Sequence, residues 1–225
     1  NEILFKPKIN SSDYVEFYNL SNKIFDASKL YAANRNSNRI VSSIKQIFPT
    51  PFYVFPGDYL VITEDVAGLQ RNYLVQNPGA VVALSSLPSY PDDEGDVILL
   101  NGQGTIVDEI NYKDDWQFKL IDNDEGVALE RIDPAGPSQD ASNWHSAAST
   151  AGYGTPGYVN SQFKQIQNID ATVMIVPKIF SPDNDGHDDI VTIEYKAADL
   201  GYVANVTIFN DQGRSVRYLV QNGTL

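Results

Sequence analysis

The sequence predicts an all-β protein, and two observations carry that prediction. Tyrosine and phenylalanine are plentiful, at 13 and 10 residues, while methionine and tryptophan number one and two. Aromatic side chains suit a pleated, half-buried surface. Apolar residues also recur in short runs between clusters of Gly, Pro, Asn and Asp, which is the pattern of strands and tight turns. Hydrophobic residues make up 42% of the 225, so a real core can be buried.

The elements follow in order. "NEILFKP" begins as an apolar strand and stops at Pro7. "YVEFYNLS" alternates, with Tyr14, Glu16 and Tyr18 on one face and Val15 and Phe17 on the other, so it predicts a half-buried strand. Residues 30–48 are polar and Asn-rich before turning apolar at "IKQIF". "VFPGDYLVITED" is a Pro-Gly turn feeding a strand over Tyr59–Thr63. "EDVAGLQRNYLV" predicts the one short helix, because Val66, Leu69, Tyr73 and Leu74 fall near one face. "GDVILLNGQGTIVDEINY" reads as strand, Asn-Gly turn, strand, a hairpin signal. "GVALERI" is a further strand. Residues 133–162 are rich in Gly, Pro, Ser and Ala, yet Trp144 and Tyr153 do not suit a free linker. They read as an ordered loop with aromatic anchors. Residues 163–171 are the linker candidate. "TVMIVPKIF", "DIVTIEY", "VANVTIFN" and "GRSVRYLV" then predict four closely spaced strands.

Charge and composition narrow the function. The net charge is −13, from 29 acids and 16 bases. Phosphate backbones need clustered Lys and Arg, and the bases here are scattered singly, so nucleic acid is not an expected partner. Cysteine is absent, which removes disulfides, thiolate zinc sites and Cys nucleophiles. No apolar run approaches the roughly 20 residues of a membrane span. The chain opens directly on a strand-like run without a signal peptide, as expected of a mature or trimmed fragment, and this says nothing against secretion.

Two stretches carry family resemblances. "NEILF", "DYVEFYNLSNKIFDAS", "FPGDYLVITED", "LLNGQGTIVDEINY", "GVALERIDP", "SNWHSAAS" and "GTPGYVNS" occur in that order. Through them, residues 1–162 resemble a lamin-tail domain of the bacterial type. The resemblance implies an immunoglobulin-like β-sandwich of a secreted or surface protein, often appended to nucleases or other hydrolases, that interacts or tethers and does not catalyse. "PKIFSPDNDGHDDIVTIEY" and "VANVTIFNDQGRSVRYLV" resemble the start of an Ig-like module found near the C-termini of secreted Bacteroidetes proteins, of the flagellar hook-capping or gliding-motility type. That family continues past "NGTL" into further strands. A complete sandwich takes about 80–100 residues, so residues 172–225 are expected to be a partial Ig-like module.

Candidate chemistry is sparse. His145 and Ser146 are adjacent in "NWHS", but adjacency is not a triad, no G-x-S-x-G elbow is present, and the structural reading is favoured. Asp114 and Asp115 before Trp116, and Asp122, Asp124 and Glu125, could serve glycoside chemistry or a sugar-binding surface; ordinary turn chemistry is favoured. Tyr112, Trp116 and Phe118 alternate as core packing would require. The densest acidic stretch is "SPDNDGHDD", residues 181–189. Asp183, Asp185 and Asp189, around Gly186, are the candidate calcium ligands. They match half of a calcium loop, but Thr192 stands where a bidentate Glu is needed. Asp side chains capping local N–H groups are the competing reading.

The expected protein is therefore a non-enzymatic interaction or tethering module, secreted or on the outer cell surface of a bacterium. It has no catalytic residue and no certain cofactor, calcium at Asp183, Asp185 and Asp189 being a candidate. Its expected partner is a protein or cell-surface component, with no small-molecule substrate. Two alternatives remain open: a non-catalytic fragment of a secreted hydrolase or nuclease, and a carbohydrate-binding module using Trp116.

Overall fold

The computed structural model describes residues 1–164, 171–197, 203–210 and 215–224. The chain divides into two compact units, Asn1–Gln165 and Ile166–Leu225. Most of the expected linker, residues 165–170, lies outside the described residues.

The first unit runs β1 (Glu2–Leu4), β2 (Tyr14–Tyr18), β3 (Phe25–Asp26), β4 (Leu30–Arg35), β5 (Val41–Gln46), β6 (Tyr53–Val54) and β7 (Tyr59–Thr63). It continues with α1 (Val66–Asn72), β8 (Val81–Ala83), β9 (Glu94–Asn101), β10 (Ile106–Lys113), β11 (Leu129–Arg131) and β12 (Trp144–Ser146). One sheet has the order β12-β11-β1-β2-β7-β8, antiparallel except for the parallel β7–β8 pair. The other is antiparallel with the order β10-β9-β4-β5. The all-β sandwich expected from the sequence is present.

Side chains alternate across a strand, and that alternation builds two cores on the first sheet. Ile3, Val15, Ile62 and Leu129 face the second sheet and pack with Ala32, Val97, Ile110 and Tyr112. Leu4, Tyr14, Val61 and Ala128 point the other way and are covered by Leu69 of α1, by Tyr73 just after it and by Ala147. The expectation of a half-buried β2 is thus corrected: Tyr14, Val15 and Glu16 are all buried. The reason is a third layer. The helix is anchored by Asp65, whose carboxylate accepts the Gly68 N–H at 2.8 Å, and the Tyr73 hydroxyl donates to the Gly126 carbonyl at 2.8 Å. Leu74, assigned to the helix's apolar face, is exposed because the helix ends at Asn72.

The polar reading of residues 30–48 missed two strands, β4 and β5. β4 is central in the second sheet, hydrogen-bonded to β9 and β5, with Ala32 and Ala33 buried. Alanine is a poor strand former on its own; burial between two partner strands decided the matter. Trp144 is buried in the main core, and its indole N–H donates to the Ser138 carbonyl at 2.9 Å. The ordered loop reading of residues 133–162 fits that anchor.

The second unit contains β13 (Ala171–Val176), β14 (Thr192–Ala197), β15 (Val203–Phe209) and β16 (Ser215–Thr224). They form two antiparallel hairpins, β13–β14 and β15–β16. None of the described side chains of this unit is buried.

Candidate functional site

A cleft of about 890 Å³ opens between the two sheets of the first unit, lined by residues of β2, β4, β7 and β9. Phe17, Leu30, Leu60 and Leu99 supply its apolar floor. One wall is the β9–β10 turn. There Asn101 Oδ1 accepts the N–H groups of Gln103 and Thr105 at 3.0 and 2.9 Å, and Gly104 takes a φ of +77° that favours glycine. The facing wall follows β2. Buried Asn19 shapes it, donating to the carbonyls of Lys23 and Val54 at 2.8 and 3.1 Å, so the chain folds back at Ser21.

Arg131 closes the inner end. Its guanidinium lies 6.0 Å from the Trp144 ring centroid, Nη1 is 3.4 Å from Asp108 Oδ2, and Nη2 donates to the Gly136 carbonyl. The side chain is 12% exposed, yet its Nε finds no acceptor among the described residues, and Asn1 Oδ1 beside the same cleft finds no donor. A buried polar group left unpaired costs roughly 1–3 kcal/mol, but both atoms are enclosed by protein and neither opens onto the cleft. Lys29 and Asp26 add one charge of each sign at the mouth. Sequence reading missed this cleft, because it assembles from strand ends far apart in the chain.

The residues singled out in the sequence lie elsewhere. The Ser146 hydroxyl donates to Gln117 Oε1 and accepts the Phe118 N–H at 2.7 Å. The His145 ring nitrogen Nδ1 lies 3.0 Å from the Ser146 carbonyl oxygen. The two side chains therefore do not form a nucleophile–base pair. Asp124 is paired to Lys6 at 2.5 Å, and Glu125 accepts the Ile9 N–H at 3.0 Å; both tie down the segment after β1. Trp116 is half-buried against the main core, at the end of a short 3-10 turn begun by Asp114. Phe118 does not share the core packing expected of it: it is exposed and leans on the His145 ring at 5.3 Å.

In the second unit, one carboxylate oxygen from each of Asp183, Asp185 and Asp189 falls within 4.8 Å of the others. Gly186 has a φ of +88°. The same carboxylates cap the turn. Asp189 accepts the N–H groups of Asn184 and Gly186 at 2.6 and 2.8 Å, Asp183 that of Asp185 at 3.2 Å, and Asp185 that of His187 at 2.8 Å. Local capping alone accounts for the Asp-rich composition, and it engages both oxygens of Asp189 and one oxygen each of Asp183 and Asp185.

Comparison with models of known protein families gives no match for this chain, and comparison with curated proteins gives none either.

Proposed function

We propose that this chain is a non-catalytic interaction module of a secreted or cell-surface bacterial protein, built on an Ig-like sandwich, and that its first unit receives an extended peptide segment in the cleft. The observation that carries this reading is an apolar floor of Phe17, Leu30, Leu60 and Leu99 bordered by the polar turn at Asn101 and Gln103 and by Lys29 and Asp26. A peptide unit offers one carbonyl acceptor and one N–H donor, which such a polar border can meet. The floor takes an apolar side chain, and the balanced charges at the mouth favour a segment of low net charge. Binding sites of this kind are concave, mostly apolar and carry few polar groups.

Panning a displayed peptide library on the intact chain tests this. The expected outcome is enrichment of peptides with a central apolar residue. Their affinity should fall about tenfold or more, roughly 1.4 kcal/mol, in the double variant Ile24→Glu, Val107→Glu. Both positions line the cleft and are 56% and 54% exposed, so the fold tolerates the change. If enriched peptides bind the double variant as well as the parent, the cleft is not the site. Selective binding to a glycan array, lost in Trp116→Ala, would instead support a carbohydrate module.

A further inference from the structure

Three glutamates stand in one row across the first sheet. Glu2 on β1 is directly opposite Glu130 on β11 and Glu16 on β2. All three are fully buried. Like charges directly opposite on a sheet repel, and a buried carboxylate is costly unless well paired. A segment of this chain, Gly154–Gln162, lies over the row like a strap.

The strap meets the row with donors. Glu16 Oε2 accepts the Gly157 N–H at 2.6 Å, and its Oε1 accepts from Asn1 Nδ2 at 2.8 Å. Glu130 Oε2 accepts the Ser161 hydroxyl at 2.7 Å and the Gln162 N–H at 2.8 Å. Glu2 Oε1 accepts the Tyr14 hydroxyl at 2.6 Å and the Thr155 N–H at 2.8 Å. One contact breaks the pattern. Thr155 Oγ1 lies 2.8 Å from Glu130 Oε1 and 3.1 Å from Glu2 Oε2. A hydroxyl has one hydrogen to donate, so it cannot serve two carboxylates. Hydrogen bonds to ionised acceptors are the shorter ones, which assigns that hydrogen to Glu130. The contact to Glu2 then needs a hydrogen supplied by Glu2.

We propose that Glu2 carries a structural proton at neutral pH: a neutral carboxylic acid whose Oε2–H donates to Thr155 Oγ1 and latches the strap to the sheet. The relay runs from Glu2 through the Thr155 hydroxyl to the Glu130 carboxylate. Burial, followed by the charges of Glu16 and Glu130, holds the Glu2 carboxyl well above the usual carboxylate range. Burial also pushes Glu16 up to about 7. The titratable groups facing Glu2 are Glu16 and Tyr14 from β2, Glu130 from β11, Tyr73 just after α1, Tyr158 from the strap and the amine of Asn1. Glu2 thus faces two further carboxyls and three phenols, and the Asn1 amine, which donates to the Glu16 carbonyl at 2.8 Å, has its own pKa lowered to about 6 by burial.

The sign of the linkage follows. The folded-state pKa of Glu2 lies above its unfolded value. The stabilisation is therefore complete below the ordinary glutamate range, declines as pH rises, and is lost above the folded value. Glu16 acts in the same direction; the Asn1 amine, its pKa lowered by burial, acts in the opposite one, and the two raised carboxyls together loosen the strap toward alkaline pH.

Both tryptophans, Trp116 and Trp144, lie in the first unit, so their fluorescence follows its unfolding in the intact chain. The slope of stability against pH counts protons taken up on folding. Glutamine at position 2 can donate to Thr155 as the protonated acid does. Glutamine at position 130 presents an amide to hydroxyl and N–H donors. Glu2→Gln is expected to keep or raise the denaturation midpoint between about pH 6 and about pH 9, and to lower the count of protons taken up by about one. It should also remove a carboxylic-acid carbonyl band from the infrared spectrum at neutral pH. Glu130→Gln is expected to lower the midpoint at every pH. The proposal is overturned if Glu2→Gln destabilises as much as Glu130→Gln with the slope unchanged, or if Glu130→Gln is the tolerated variant.

Discussion

The two units use the same kind of strand and reach opposite states of burial. In the first, Val15, Ile62 and Leu129 are wholly enclosed between sheets. In the second, Val173 is 65% exposed and Ile190 78%, although β-branched residues recur there just as densely. The difference is layering. The first unit stacks two sheets and closes the outer face of one with α1 and the strap. The described strands of the second form two separate two-stranded hairpins, and such ribbons are marginally stable by themselves. Alternation makes a strand; only a second layer makes a core.

That contrast can be tested at its strongest point first. Trp144→Ala removes a buried ring and the bond to Ser138 from the first unit, and core Trp-to-Ala changes cost on the order of 3–5 kcal/mol. Thermal unfolding should show a correspondingly large loss, while hairpin residues of the second unit keep their NMR shifts. An unchanged melting temperature would mean that Trp144 does not anchor its loop.

Hydrogen exchange sharpens the comparison next. Amides of β14 and β15 should exchange on the order of 100-fold faster than those of β9 and β10 in a monomeric sample, because opening free energies track burial and contact density. Equal protection would show that another chain or another layer covers the second unit in solution.

A third test asks whether a cation compensates for the exposure of the described strands of the second unit. If calcium sits on Asp183, Asp185 and Asp189, saturation at ten times Kd stabilises the second unit by about 1.4 kcal/mol. Near-millimolar calcium should then slow exchange around Gly186, and Asp183→Ala with Asp185→Ala should abolish the effect. Identical exchange with calcium and with chelator would leave the turn purely structural.

The smallest expected effect lies at the rim of the first unit. Burial, with the neighbouring charges of Asp92 and Glu64, pushes the Asp13 carboxyl up to about 7. Its raised pKa means that stability is lost as pH climbs from the unfolded value through about 7. Asp13→Asn removes that loss, so the variant should melt a few degrees higher than the parent at about pH 8 and equal to it near about pH 4. A constant difference at both values would assign the effect to packing instead.

Much of the strand order was legible because the sequence alternates where one face meets a core. β2, β7, the β9–β10 hairpin, β11 and α1 all announce themselves by period or by a turn residue. β4 did not, since its alanines carry no strand signal and its pairing with β9 joins residues as far apart as Leu30 and Asn101. Phe118 misled for the opposite reason: its spacing matched Tyr112, but the chain leaves the strand at Lys113 and the alternation no longer applies. The acidic turn at Asp183–Asp189 was visible as composition, and its geometry combines the two readings by capping and clustering with the same carboxylates.

By itself, the sequence determined an all-β chain, the places where strands turn, and the side chains able to fill a core, because these depend on neighbours only a few residues apart. Tertiary structure alone decided what Glu2, Glu16 and Glu130 are. Read locally, Glu16 is a solvent-facing residue of an alternating strand. In the fold, three strands align these carboxyls and a segment more than a hundred residues from β1 and β2 seals them from water. A carboxyl's charge depends on that enclosure, and no stretch of sequence contains it.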